Sequence, residues 1–89
     1  MAQDGANTAV SVSASNSTSV LAANNTRFLA TIYNDGAATV YLSLGATATT
    51  SSHTVQIVPN GYYEVPRGYT GVITHVGSSA TGTLRVTEI

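Results

Sequence analysis

The sequence predicts an all-β domain, a small antiparallel β-sandwich or jelly-roll-like barrel of about eight short strands with a flexible N-terminal arm. Three observations lead there. Apolar residues recur with period two, and the 3.6-residue period of a helix is absent. Where apolar residues gather, β-branched types dominate, and these suit a pleated surface. Clusters of Asn, Asp, Gly, Pro and Ser interrupt the chain every ~8–12 residues, as the turns of an all-β domain do.

The elements follow in order. Residues 1–8 are small and polar, include Gly5, and are expected to form a mobile arm; residues 9–89 form the single sandwich domain. Residues 8–13 alternate, which puts Val10 and Val12 on one face of a first strand. Residues 20–23 form a second. Residues 27–34 carry the strongest strand signal, with Phe28, Ala30 and Ile32 facing one way and Leu29, Thr31 and Tyr33 the other. Asn34-Asp35-Gly36 then turns the chain, and residues 39–44 are expected to return as the second arm of a hairpin. Val40, Leu42 and Leu44 face its core side, and Tyr33 and Tyr41 are expected to meet on its other face.

Residues 45–52 are a run of Ala, Thr and Ser that reads as an exposed loop. Val55 and Ile57 share a face of the next strand. In Pro59-Asn60-Gly61, Pro presets its own φ and Asn-Gly tolerates a positive one, so a turn is expected. Tyr62 and Tyr63 are adjacent on a strand over residues 62–65 and point to opposite faces. Pro66-Arg67-Gly68 is a second break, and residues 71–76 and 83–87 are the last two strands. The expected core is Phe28, Ile32, Val40, Leu42, Leu44, Val55, Ile57, Val72, Leu84 and Val86.

Composition limits the function classes. The 89 residues include no cysteine, which excludes disulfides and cysteine-based zinc sites. Only 8% are charged, lysine is absent, and there are five tyrosines and three arginines. Interfaces are depleted in Lys, Glu and Asp and enriched in Tyr and Arg, so much of the surface is expected to be committed to contacts. Self-association would also supplement the thin core of so short a chain. The net charge of −1, without a basic cluster, carries no footprint for nucleic acid. No apolar run is long enough for a membrane span, and the first residues lack the basic and apolar regions of a signal peptide. The protein is therefore expected to be made in a cytoplasm and to stay there, or to leave by a route other than cleavable secretion.

Catalytic chemistry finds little footing. His53 lies beside the Ser/Thr-rich loop and His75 near the end of a strand, where each has an ordinary structural role available. Asp4, Asp35, Glu64 and Glu88 are scattered over arm, turn, strand and chain end, which suits no carboxylate pair. A non-enzymatic protein without cofactor or metal is expected.

From Val20 onward the pattern resembles a module of small tailed-phage virion proteins, among them capsid decoration (cement) proteins and pieces of head or tail fibres. The resemblance is carried by Leu21-Ala22-Ala23-Asn24-Asn25-Thr26-Arg27-Phe28-Leu29-Ala30-Thr31-Ile32-Tyr33-Asn34, by Val40-Tyr41-Leu42-Ser43-Leu44-Gly45, and by Val58-Pro59-Asn60-Gly61-Tyr62-Tyr63-Glu64-Val65. Gly71-Val72-Ile73-Thr74-His75-Val76 and Val86-Thr87-Glu88 close it. It implies a virion protein on the capsid surface that decorates and stabilises the shell as a homotrimer, with the major capsid protein as partner. The alternative is a carbohydrate- or receptor-binding module of a tail or fibre. Candidate contact residues are Asp4, Arg27, Tyr33, Tyr41, Tyr62, Arg67 and Tyr69.

Overall fold

A computed structural model describes residues 6–15 and 17–89. Among them are eight strands and no helix: β1 (Ala6–Ser11), β2 (Thr18–Leu21), β3 (Ala30–Asp35), β4 (Val40–Ser43), β5 (Val55–Ile57), β6 (Tyr62–Val65), β7 (Ile73–Gly77) and β8 (Thr83–Glu88). They build two four-stranded antiparallel sheets, a first in the order β1-β8-β3-β6 and a second in the order β2-β7-β4-β5. Successive strands fall in opposite sheets except β4 and β5, and this interleaving is the strand order of a jelly roll. The expected fold class is what the chain adopts.

Alternation decides which side chains enter the core. Ala30 and Ile32 of β3, Val40 and Leu42 of β4, Leu84 and Val86 of β8, and Ile57, Val65 and Ile73 from the other strands meet between the sheets with almost no exposure. Burying each of the larger ones contributes roughly 1.5–3 kcal/mol. Leu44 and Val55 pack against this core half-buried, and Val72 is also half-buried.

Four expectations need correction. β3 and β4 do not form a hairpin; they lie in different sheets and face each other across the core. Period-two patterning assigns each strand an inner face but no neighbour, and two strands with apolar inner faces can pair side by side or stack. Tyr33 and Tyr41 consequently sit on opposite outer surfaces of the sandwich. Residues 6–8 belong to no mobile arm, because β1 begins at Ala6 and pairs with β8 from Ala6↔Glu88 to Ser11↔Thr83. Residues 1–5, Asp4 among them, lie outside the described residues. The loop over residues 45–52 is not exposed throughout: Ala48 is buried and its N–H is held by the Ser17 hydroxyl.

Phe28 is the fourth. It is 54% exposed, because the amides of both Phe28 and Leu29 donate to the Ile89 carbonyl. Two residues opposite one is a β-bulge, and the extra residue breaks the alternation before β3 begins.

The turn around Pro59 forms as its residues require. Gly61 N–H closes onto the Val58 carbonyl at 2.8 Å, and Asn60 adopts φ 66° at the position where a type II turn needs a positive value. Asn60 and Gly61 then both engage Asn34, whose amide donates to the Gly61 carbonyl while its carbonyl accepts from Asn60 N–H. This second bulge leads the chain into β6.

Three buried polar side chains tie the layers together. Arg27, 5% exposed, donates to Glu88 Oε2 (2.7 Å) and to the carbonyls of Ala22, Tyr69 and Gly71. Asn34 donates its side-chain amide across the sandwich to the Ala38 and Ile57 carbonyls, both at 2.8 Å. His75 is fully buried on the inner face of β7. The Ser13 amide donates to its Nε2, so Nδ1 carries the proton and donates to the Thr18 carbonyl. Burial pushes the His75 pKa below its ordinary 6.5, against a smaller opposing effect of the Thr18 bond. The neutral ring thus joins both ends of the β1–β2 connection to the centre of the second sheet.

Candidate functional site

The outer face of the first sheet gathers the exposed side chains best suited to recognition. Strand register aligns Ala9, Arg85, Tyr33 and Tyr62 in a row crossing β1, β8, β3 and β6. Each residue is there because its neighbours point inward: Val10 beside Ala9, Leu84 and Val86 flanking Arg85, Ile32 and Asn34 flanking Tyr33, Tyr63 beside Tyr62. Tyr62 is 72% exposed and Tyr33 38%.

Hydrogen bonds and one ion pair set the geometry of this face. The Tyr33 hydroxyl donates to Asn60 Oδ1 at 3.1 Å, which ties the ring to the turn before β6. Arg85 Nε donates to Asp35 Oδ2 at 3.0 Å, with both side chains about half exposed. A pair so solvated adds little stability, and the rest of the Arg85 guanidinium faces outward. The Thr87 hydroxyl donates to Asn7 Oδ1 at 2.7 Å in the next row. The surface offers two aromatic rings, a guanidinium and a fringe of hydroxyl, amide and carboxylate groups on one face of a sheet.

The other candidates go elsewhere. Arg27 is interior and donates four hydrogen bonds within the chain, so it serves the fold. Tyr69 packs against the core and donates to the Val72 carbonyl at 2.6 Å. Tyr41 lies half-buried on the outside of the second sheet, where the His53 ring tilts against it with centroids 4.9 Å apart. Arg67 is exposed and stacks over Phe28, its guanidinium carbon 4.8 Å from the ring centroid. Beside that pair, Leu29, Glu64, Val65, Pro66 and Arg67 line a hollow of about 260 Å³. Of the six candidates among the described residues, Tyr33 and Tyr62 are brought together on the outer face of the first sheet, and Arg27 and Tyr69 meet inside, where Arg27 Nη1 donates to the Tyr69 carbonyl.

Arg85 was not among the candidates, although its place between Leu84 and Val86 already points it outward. Asn60 and Phe28 were also missed as surface features, since both depend on bulges that alternation cannot show. The ring nitrogens of the two histidines bond to backbone, His53 to the Thr49 carbonyl and His75 to Ser13 and Thr18. Among the described residues, no group of three or more His, Cys, Asp or Glu could hold a metal ion.

No family model, curated protein or solved structure matches the chain.

Proposed function

We propose that this chain is a non-enzymatic structural protein of a tailed-phage virion, which decorates and stabilises the capsid as a homotrimer. Its contact surface is the outer face of the first sheet. The observation that carries this reading is the row Arg85–Tyr33–Tyr62, residue types favoured at protein interfaces, on the outer face of a sheet in a chain that is 8% charged. The pattern resemblance to small virion modules supplies the setting, and the jelly-roll strand order agrees with it at the level of fold. A partner's polar groups would meet the Arg85 guanidinium and the Tyr62 hydroxyl, while the rings supply rigid apolar area at small entropic cost.

Mass spectrometry of purified virions tests the proposal. The chain should be present in a fixed ratio to the major capsid protein, and a Tyr62→Ala, Arg85→Ala double variant should lose occupancy while keeping its fold. A chain missing from purified particles sinks it.

One observation favours a second reading. Tyr33 and Tyr62 are direct cross-strand neighbours beside Asn60, an aromatic and amide grouping that could stack and hydrogen-bond a sugar. Glycan-array binding that disappears in Tyr62→Ala would favour a carbohydrate-binding tail or fibre module instead.

A further inference from the structure

β6 is an open edge of the first sheet, and the large apolar side chains left exposed among the described residues collect around it. Tyr62 lies on the strand, Tyr33 is its cross-strand neighbour, Val58 begins the turn before it, and Phe28 sits under Arg67 just after it. The backbone of the edge can be read from the ladder. Asn34 bonds Gly61, so the alternation of an antiparallel pair makes Ile32↔Tyr63 and Ala30↔Val65 the hydrogen-bonded pairs. Tyr62 and Glu64 therefore aim their N–H and C=O groups away from β3, toward the open side.

We propose that β6 is a self-pairing edge: a second copy of this chain docks on it antiparallel, about a two-fold axis through Tyr63, and joins the two first sheets into one. The register follows by elimination. An axis at Tyr62 would set Glu64 against Asn60, whose amide already serves Asn34 and whose backbone is turned by its positive φ. An axis at Glu64 would set Tyr62 against Pro66, which has no N–H. An axis at Tyr63 sets Tyr62 of each copy against Glu64 of the other, and each such pair exchanges both backbone bonds, about four in all.

Side chains support the same register. Tyr62 and Glu64 both point to the outer face, so the phenol of one copy lies beside the carboxylate of the other and can donate to it. Each Val58 is carried toward the Phe28–Arg67 stack of the other copy. The bulge at Asn60–Gly61 and the ring of Pro66 leave a short ladder between them, which a longer strand from an unrelated protein would overrun. So short an interface is expected to be weak in solution, and to matter where copies are held close together. The inference stands on the geometry of β6 and does not depend on the capsid reading; a two-fold contact would link trimers without replacing their three-fold contacts.

The chain has no cysteine, so disulfide trapping tests this against a silent background. A Tyr63→Cys variant, oxidised at micromolar concentration, should run as a covalent dimer on a non-reducing gel, since residues opposite each other at a strand pair lie within disulfide reach. Tyr63 is half-buried, so a second arm uses exposed positions only. A mixture of Tyr62→Cys and Glu64→Cys proteins should cross-link several-fold more than either alone. Glu64→Pro, which removes an outward N–H and no internal bond, should abolish dimer formation in the Tyr63→Cys background. If the mixture gains nothing over its components, the pairing is wrong, whatever the Tyr63→Cys variant does.

Discussion

Gly36 and Gly82 meet backbone to backbone: a Cβ built on either would stand 2.7 Å from the other's Cα. Gly36 follows β3 and Gly82 precedes β8, so this contact continues the β3–β8 register one pair beyond Asp35↔Thr83, at one end of the first sheet. Gly82 and Gly68 share φ 96°, but a Cβ on Gly68 would meet nothing within 4 Å. Gly68→Ala should therefore lose only the conformational term, about 1 kcal/mol. Gly82→Ala adds a backbone clash and should lose about 2–3 kcal/mol. Urea midpoints at unchanged m-value measure both, and equal losses would mean that the two loops do not touch.

Arg27→Met keeps much of the apolar stem but strips three carbonyls and the Glu88 carboxylate of their donor. A loss of about 3 kcal/mol is expected, larger than for Arg85→Met on the surface, which should lie within about 0.5 kcal/mol of the parent. Chemical denaturation of the two variants side by side gives the comparison.

The buried His75 makes stability depend on pH in a defined direction. Its folded pKa lies below 6.5, so below that value the unfolded chain takes up a proton that the native chain refuses. The stabilising contribution is complete above pH 6.5, falls as the pH drops below it, and levels off once the native ring also titrates. Unfolding free energies measured between about pH 7.5 and about pH 5 should show this fall, and His75→Gln should flatten it. A variant with the parental slope would assign the dependence to other groups.

Ile32→Ala and Leu42→Ala should each cost ~2–5 kcal/mol, since both side chains are fully buried between the sheets. Phe28→Ala should cost less than about 1 kcal/mol, the loss of an exposed ring stacked under Arg67. Thermal unfolding of all three tests the bulge as well as the core. A Phe28 variant as damaged as Ile32→Ala would place that ring inside.

Inward-facing residues were legible because a strand buried on one face must alternate, and Ile32, Val40, Leu42, Leu84 and Val86 all do so. The Asn60 turn was legible because few residues besides Asn and Gly accept its φ. Strand neighbours were not. Nothing in residues 30–44 distinguishes a hairpin from two strands stacked across a core, and the pairing of β3 with β8 depends on residues far along the chain. Arg27 looked like a surface cation because its carbonyl partners, Ala22, Tyr69 and Gly71, leave no mark in side-chain pattern. In the candidate site, Tyr33 and Tyr62 were visible one at a time, while their adjacency awaited the β3–β6 register.

The position of β8 has a kinetic consequence. It lies between β1 and β3, and among the described residues β1 has no other strand neighbour in the first sheet. Residues 6–11 must therefore wait unpaired until residues 83–88 arrive, and closing so long a loop carries an entropic cost that no local contact repays in advance. Folding should be slow for a chain of this length, in the millisecond-to-second range of β-proteins dominated by distant pairings. During synthesis the nascent chain can complete neither the first sheet nor the cover over the second until β8 has left the ribosome. A ribosome-stalled chain ending before residue 83 should accordingly remain protease-sensitive throughout.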